Sequence, residues 1–223
     1  AKLRKYFKEV SMHSYWSGAD TKKNAENYFS DKYSKYSVAA TEYCQMTDDK
    51  NTGVYDLIAK EKNGTNGTSI KYGVAMANTI VDDLTIMNAN EWDWWTACSY
   101  GTYTDGLIYL DEDNHENLDF SKRYYCLGNF SKFIKEGAVR VACSSGVKNV
   151  RSVAFVNEDN TVVTVYVNNN DKKAYTTIDC EGDYAVYTTD RDNDIAKTDF
   201  GKAKKVKVSL PASSVVTVVY EAK

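Results

Sequence analysis

The chain has 223 residues and a formal net charge of −3, with 28 Lys and Arg residues against 31 Asp and Glu residues. This length suits one large domain or two small ones, and a hydrophobic fraction of 43% is ordinary for globular proteins. Because the sequence has no basic run and no stretch of about eighteen consecutive apolar residues, we expect neither a nucleic-acid partner nor a membrane partner.

Before residue 137, short apolar runs alternate with helical patterns. Strands are predicted at 10–16, 37–42 and 89–97. Helical patterns cover 2–8, 22–34, 54–60, 69–84 and 121–134, and loops cover 47–53, the Gly/Asn/Thr segment before residue 69, and 98–117. Strands that alternate with helices run parallel and are joined by crossovers, so this half predicts an α/β arrangement. Three parallel strands do not close a barrel, which needs eight strands and roughly 250 residues.

After residue 137, nearly every segment alternates between apolar and polar residues with a period of two, as strands do. Seven strands are predicted, at 138–143, 150–157, 161–168, 173–179, 183–189, 204–209 and 213–220. Turn residues separate them, and Pro211, the only proline, stands just before the last one. The pattern predicts a β-sandwich.

The five cysteines are odd in number and show no C-x-x-C spacing. They are Cys44, Cys98, Cys126, Cys143 and Cys180. We therefore expect no zinc site, and at least one thiol outside any disulfide.

Glu42 ends an apolar segment, Val38 to Thr41, that is predicted as a strand. In a parallel α/β barrel the carboxyl ends of the strands form the active-site face, where a carboxylate points into the central cavity. A solvated glutamate at the end of a strand is the alternative interpretation. His13 and Tyr15 end the preceding strand two residues apart, so both should lie on one face and reach that carboxylate.

Three tryptophans, Trp92, Trp94 and Trp95, lie within four residues of the third predicted strand. Strand alternation places Trp92 and Trp94 on the same face. Flat aromatic rings stack on sugar faces, so this segment is a candidate sugar subsite. Core packing is the alternative for each ring.

Four segments of the chain resemble glycoside hydrolase family 30, whose clan contains retaining (β/α)8 enzymes. Met12–Trp16 is similar to the sixth barrel strand and Thr41–Cys44 to the seventh, while Asp83–Trp95 looks like the next helix and the eighth strand. Ser121–Val141 resembles the last helix and its exit, and Leu210–Ser214 the lead into the final strand of the family's β side domain. The resemblance covers essentially the whole chain.

The resemblance implies an α/β plus all-β protein: part of a (β/α)8 TIM barrel, strands six to eight, at 1–137, followed by a β-sandwich side domain at 138–223. It implies that Glu42 is the nucleophile, that His13 and Tyr15 orient it, and that these two residues bind substrate together with Trp92, Trp94 and Trp95. It implies no metal and no organic cofactor.

By the same resemblance, the complete enzyme would be a secreted, retaining endo-glycosidase acting on a β-linked plant polysaccharide, either β-1,6-galactan or xylan. The chain itself begins without a signal peptide. An extracellular location is expected because such substrates lie outside cells.

The family's acid/base glutamate follows an asparagine at the end of the fourth barrel strand, and strands one to five have no counterpart here. Of the two Asn-Glu pairs, Asn90-Glu91 begins the eighth strand and Asn157-Glu158 lies in a hairpin turn, so neither is assigned this role. The isolated chain is therefore predicted to be inactive. The alternatives are a non-catalytic carbohydrate-binding protein and a half-barrel that needs a partner chain to supply strands one to five.

Overall fold

The structure is a computed structural model that describes residues 6–45, 69–100, 104–111, 113–114 and 116–221. The helical pattern at 54–60 and the loops on either side of it lie outside the described residues, as does most of the segment at 2–8. In chain order the elements are β1 (Glu9–His13), α1 (Ala19–Tyr33), β2 (Ser37–Glu42), α2 (Ile70–Thr85), β3 (Glu91–Trp92), β4 (Cys98–Tyr100), β5 (Ile108–Leu110), β6 (Leu118–Phe120), α3 (Lys122–Ser131), β7 (Val139–Val141), β8 (Val150–Val156), β9 (Thr161–Asn168), β10 (Ala174–Thr189), β11 (Ala196–Leu210) and β12 (Ser214–Glu221).

The described residues fall into two compact units. The first contains the described residues up to 45 together with those from 79 to 119, and the second contains 69–78 together with 120–221. Among the described residues, no helix combines the length and apolar character needed to cross a membrane.

A three-stranded parallel sheet in the order β1-β2-β3 forms the frame of the first unit. Its central strand, β2, begins and ends where the sequence predicted. Val38, Ala39 and Ala40 are all buried, which is typical of a parallel strand covered on both faces. The apolar run is therefore in the middle of the sheet, and Glu42 is at its carboxyl end.

Strands β1 and β3 are shorter than predicted. β1 stops at His13, and Tyr15 and Trp16 lie in a turn where Trp16 adopts the left-handed backbone conformation, with φ of 52°. β3 contains only Glu91 and Trp92. The predicted loop at 98–117 contains β4 and β5, which pair in parallel.

One antiparallel sheet in the order β11-β10-β12-β9-β8-β7 forms the frame of the second unit. The two strands predicted at 173–179 and 183–189 are one strand, β10. It is interrupted by an irregularity between Asp179 and Gly182, where Gly182 has φ of 133°. That backbone conformation favours glycine, which has no Cβ.

The bend at Gly182 lets the long hairpin cover the face of its own sheet. Only the second part of β10, Tyr184 to Thr189, pairs with β12, whereas Ala174 to Asp179 pairs with β11 alone. The inward side chains of the hairpin, including Ile178 and Val208, pack with residues of β8, β9 and β12. The buried members of this core are Val150, Tyr166, Ile178, Cys180, Val186, Val206, Val208, Leu210, Val216 and Val218. The apolar core therefore lies between two layers of strands.

Asn129 joins helix α3 to this sheet and is fully buried. Its Nδ2 donates to Thr217 Oγ1 at 2.9 Å, and the same Thr217 Oγ1 donates to the Asn129 backbone oxygen at 2.6 Å. Thr189 Oγ1 donates to Asn129 Oδ1. Because buried polar groups must be paired, this network holds the helix in one register on the sheet.

Candidate active site

The Glu42 carboxylate stands at the carboxyl end of β2 with 32% of its side chain exposed. The Tyr15 hydroxyl donates a hydrogen bond to Glu42 Oε1 at 3.0 Å. His13 Nδ1 lies 3.7 Å from the same oxygen, at the register position directly opposite Glu42. The structure thus brings together the three residues that the sequence placed near one another, although Tyr15 does so from a turn rather than from the strand.

Tyr15 is half-buried, and its hydroxyl oxygen has two neighbouring side chains, Glu42 and Cys44. Besides the bond to Glu42, the hydroxyl lies 3.6 Å from the sulfur of Cys44. Burial, then the Cys44 thiol and then the Glu42 carboxylate raise the pKa of Tyr15 well above its ordinary value. The side chain therefore stays protonated and remains a donor to the carboxylate at neutral pH.

The rings of Trp92 and Trp94 lie on one side of the site, with centroids 6.3 Å apart and planes inclined by 33°. Tyr43, which is fully buried, contacts both, at 5.9 Å and 6.0 Å between centroids. Tyr43 also stacks on Tyr15 at 5.6 Å. A continuous aromatic path therefore runs from the two tryptophans to the tyrosine that holds Glu42.

Trp95 differs from the other two tryptophans, because 55% of it is exposed. Its backbone N–H donates to the Tyr43 carbonyl at 2.9 Å, and the peptide bond that follows it is cis. The indole N–H of Trp94 donates to the Asp105 backbone oxygen at 2.6 Å. Trp92 and Trp94 are thus packed against Tyr43, while Trp95 offers an open ring.

Sequence reasoning missed Asp83, a fully buried carboxylate on α2. Its Oδ2 accepts the indole N–H of Trp92 at 2.9 Å, and its Oδ1 accepts the hydroxyl of Ser14 and the ammonium of Lys22, both at 2.7 Å. The sequence did carry a signal. A carboxylate at position 83 continues the apolar stripe of the predicted helix through Met76 and Ile80, where an unpaired charge would be costly.

Neither glutamate of the two Asn-Glu pairs is a register partner of Glu42. Glu91 pairs with Ala39, three residues before Glu42 on β2, and the carboxylate of Asp93 raises the pKa of the Glu91 carboxyl. Asn157 and Glu158 lie in the second unit, in the turn between β8 and β9. There Asn157 Nδ2 donates to the Phe133 carbonyl at 3.1 Å. Asn157 therefore fixes the chain after α3.

No group of three or more His, Cys, Asp and Glu side chains within the described ranges is arranged to hold a metal ion. No disulfide joins the five cysteines, all of which the structure describes.

Family models match both parts of the chain. The O-glycosyl hydrolase family 30 model matches residues 1–109, and the glycosyl hydrolase family 30 beta sandwich domain model matches residues 137–218. The chain belongs to glycoside hydrolase family 30. The predicted fold class, part of a (β/α)8 barrel followed by a β-sandwich, is confirmed by these matches and by the solved structures of similar fold.

Three of those solved structures resemble this chain over nearly its whole length. A GH30 endoxylanase from Clostridium papyrosolvens is 21% identical, with a TM-score of 0.73, over 96% of this chain and 49% of that one. The catalytic domain of GH30 xylanase C from Talaromyces cellulolyticus is 22% identical, with a TM-score of 0.71, over 100% of this chain and 47% of that one. A conserved exported protein from Bacteroides fragilis is 25% identical, with a TM-score of 0.79, over 96% of this chain and 46% of that one. The family 30 chain therefore spans about half the length of these three proteins.

Proposed function

We propose that this chain supplies the nucleophile of a retaining glycoside hydrolase and that Glu42 is that nucleophile. The observation that carries the proposal is the Glu42 carboxylate at the end of a parallel strand, bonded to a tyrosine hydroxyl at 3.0 Å and flanked by an aromatic wall. Carboxylates at this end of parallel strands face the substrate in barrel enzymes. The hydroxyl donor fixes the orientation of the carboxylate, whose oxygen is the attacking atom.

The reaction proceeds in two displacements. A Glu42 carboxylate oxygen attacks the anomeric carbon, the bond from that carbon to the leaving oxygen breaks, and a glycosyl ester forms on Glu42. Water then attacks the same carbon and releases Glu42, so the configuration is retained. Tyr15 and His13 orient the carboxylate. Trp92 and Trp94 line the subsite, and the exposed Trp95 ring is a further surface for a sugar.

We assign the general acid to a glutamate outside these 223 residues. It donates a proton to the leaving oxygen in the first displacement and takes one from water in the second. That glutamate comes either from a longer form of this chain or from a partner chain that carries barrel strands one to five. In this proposal, residues 1–137 belong to the barrel and residues 138–223 form the side domain.

A β-linked plant polysaccharide, either xylan or β-1,6-galactan, is the substrate class we propose, and an extracellular site of action follows from it. Two of the similar structures are xylanases, which supports xylan. A carbohydrate-binding protein without hydrolysis is the second candidate, favoured by the openness of the Trp95 ring.

The test of the nucleophile uses a sugar that does not need the general acid. A 2,4-dinitrophenyl 2-deoxy-2-fluoro-β-xylobioside carries a leaving group that departs without protonation, and its fluorine slows hydrolysis of the ester. We expect peptide mass analysis of the sample as purified, with any second chain present, to find the sugar on Glu42. A β-1,6-galactobioside of the same design covers the other substrate.

Two variants complete this experiment. Glu42→Gln should carry no ester, because the amide is not a nucleophile. Glu91→Gln is the matched control, since Glu91 pairs with Ala39 before the end of the strand, and it should be labelled as the parent is. Binding of both sugars without an ester on Glu42 would favour the carbohydrate-binding protein instead.

A further inference from the structure

The buried carboxylate of Asp83 makes bonds to three different segments of the first unit. Ser14 belongs to the turn after β1, Lys22 to α1, and Trp92 to β3. Asp83 itself lies near the end of α2, and its backbone oxygen accepts the N–H of Ala89 at 3.0 Å in the turn toward β3. One side chain therefore ties α2 to the turn after β1, to α1 and to β3.

The partners of Asp83 stand next to the site residues on both sides. Ser14 is between His13 and Tyr15, the two residues whose side chains approach Glu42. Trp92 begins the aromatic wall, and its indole N–H ends on Asp83 Oδ2 at 2.9 Å. A shift of Asp83 would thus move the holder of Glu42 and the wall of the subsite at the same time.

The charge of Asp83 is matched inside the protein. Lys22 Nζ lies 2.7 Å from Oδ1, with side-chain exposures of 4% for Lys22 and 0% for Asp83. A buried ion pair of this kind is a costly way to gain stability, because desolvation offsets much of the attraction between the charges. The pair instead fixes the positions of the groups around it. An ionised carboxylate can accept several hydrogen bonds at once, whereas a neutral side chain accepts fewer.

We propose that Asp83 is a positioning residue for the Glu42 site. It holds the Trp92 ring and the segment from His13 to Tyr15 in one arrangement, with Lys22 paired to its carboxylate. The relevance of this role to sugar turnover rests on the proposed function. The experiment below uses no sugar, so a failure of the nucleophile assignment and a failure of this inference are distinguishable.

The reporter for the test is Cys44, whose sulfur lies 3.6 Å from the Tyr15 hydroxyl and which is buried. If the segment around Tyr15 loosens, Cys44 becomes accessible to a thiol reagent such as 5,5′-dithiobis(2-nitrobenzoate). Cys126 and Cys180 are buried in the second unit and report in the same sample on any unfolding that reaches that unit. The exposed Cys98 and Cys143 are first changed to serine.

The test variant is the double substitution Asp83→Leu with Lys22→Met. Leu has the branching of Asp without its acceptors, and the apolar pair removes both charges together, so no buried charge is left alone. We expect Cys44 labelling to accelerate about tenfold or more while Cys126 and Cys180 keep their rates, because local opening is separate from global unfolding. The indole ¹⁵N–¹H signal of Trp92, assigned with Trp92→Phe, should shift upfield and exchange faster.

Two further variants sharpen the result. Asp83→Asn with Lys22→Met keeps one acceptor oxygen and should bring the Cys44 rate back toward that of the parent. Lys122→Met with Asp194→Leu removes an ion pair of 2.6 Å in the second unit and should leave the Cys44 rate unchanged. An unchanged Cys44 rate in the Asp83→Leu pair would overturn the proposal, and so would an equal rise at all three cysteines, which indicates a general loss of stability.

Discussion

At the residue scale, the hydroxyl of Tyr15 connects the proposed nucleophile with a buried thiol. Its bond to Glu42 is 3.0 Å and its distance to the Cys44 sulfur is 3.6 Å. Burial, followed by these two neighbours, raises the pKa of Tyr15. The Tyr15 hydroxyl therefore keeps its proton, and its hydrogen bond to Glu42, well into the alkaline pH range.

This raised pKa leads to a prediction for stability at alkaline pH. Below the unfolded-state pKa of about 10, Tyr15 is protonated in both states and pH has no effect through it. Above about pH 10 the unfolded chain loses this proton while the folded chain keeps it, so stability falls as pH rises. We expect the fall to be shallower in Tyr15→Phe, measured by urea denaturation between pH 8 and about pH 11.

The control for this prediction is Tyr175→Phe, because Tyr175 is an exposed tyrosine in the second unit. Its alkaline profile should follow that of the parent. Equal slopes for Tyr15→Phe and the parent would contradict the assigned burial of the hydroxyl.

At the element scale, helix α3 depends on Asn129 for its register on the sheet. The Asn129 side-chain amide donates to Thr217 and accepts a bond from Thr189, while Thr217 donates to the Asn129 backbone oxygen, all in a fully buried setting. Truncation to alanine would remove both side-chain bonds and leave only the one that Thr217 donates to the backbone oxygen. We predict that Asn129→Ala lowers the free energy of unfolding by roughly 2–4 kcal/mol, which urea denaturation can measure.

Asn24→Ala is the comparison for this substitution, since Asn24 is exposed on α1. It should change stability by less than about 0.5 kcal/mol. A similar small effect at Asn129 would mean that water replaces the lost amide, and the network would then not set the register.

The same scale shows where sequence reasoning works and where it does not. Helix α2 shows the helical period along its length, and strand β2 contains an unbroken apolar run. Both were predicted to within a residue. β3 was predicted too long because the tryptophan-rich segment has a high strand propensity. After Trp92 the segment makes isolated hydrogen bonds to β2 and to the residues that follow β2, such as the one from the Trp95 N–H to the Tyr43 carbonyl. β4 and β5 contain three residues each, too few to show a period.

The candidate site divides in a similar way. Glu42, His13 and Tyr15 were found because strand ends and two-residue spacing are visible in the sequence. Asp83 was not, because its partners Ser14 and Lys22 are far from it along the chain and only the fold brings them near. That Glu42 acts on sugar stays a prediction, which the fluorosugar labelling tests.

At the scale of the whole molecule, the proposal places the nucleophile within the 223 residues and the general acid outside them. We predict that the isolated chain releases no reducing sugar from xylan or β-1,6-galactan, because general acid catalysis contributes about 10²–10⁴ in rate. Intact-mass analysis under denaturing conditions should accompany the assay. Release of sugar by a sample that contains only the 25.1 kDa species would contradict the prediction.

The strand order of the second unit has a consequence for how this part of the chain is made. β12 is the last strand in the sequence, yet it lies between β10 and β9 near the middle of the sheet. During synthesis, β9 and β10 therefore emerge from the ribosome long before their shared neighbour exists. Until Ser214–Glu221 has followed them, both strands expose backbone hydrogen-bonding groups, and β9 also exposes a valine-rich face, which invites mispairing. The hairpin of β8 and β9 can form early, but the sheet closes only when its last strand is inserted.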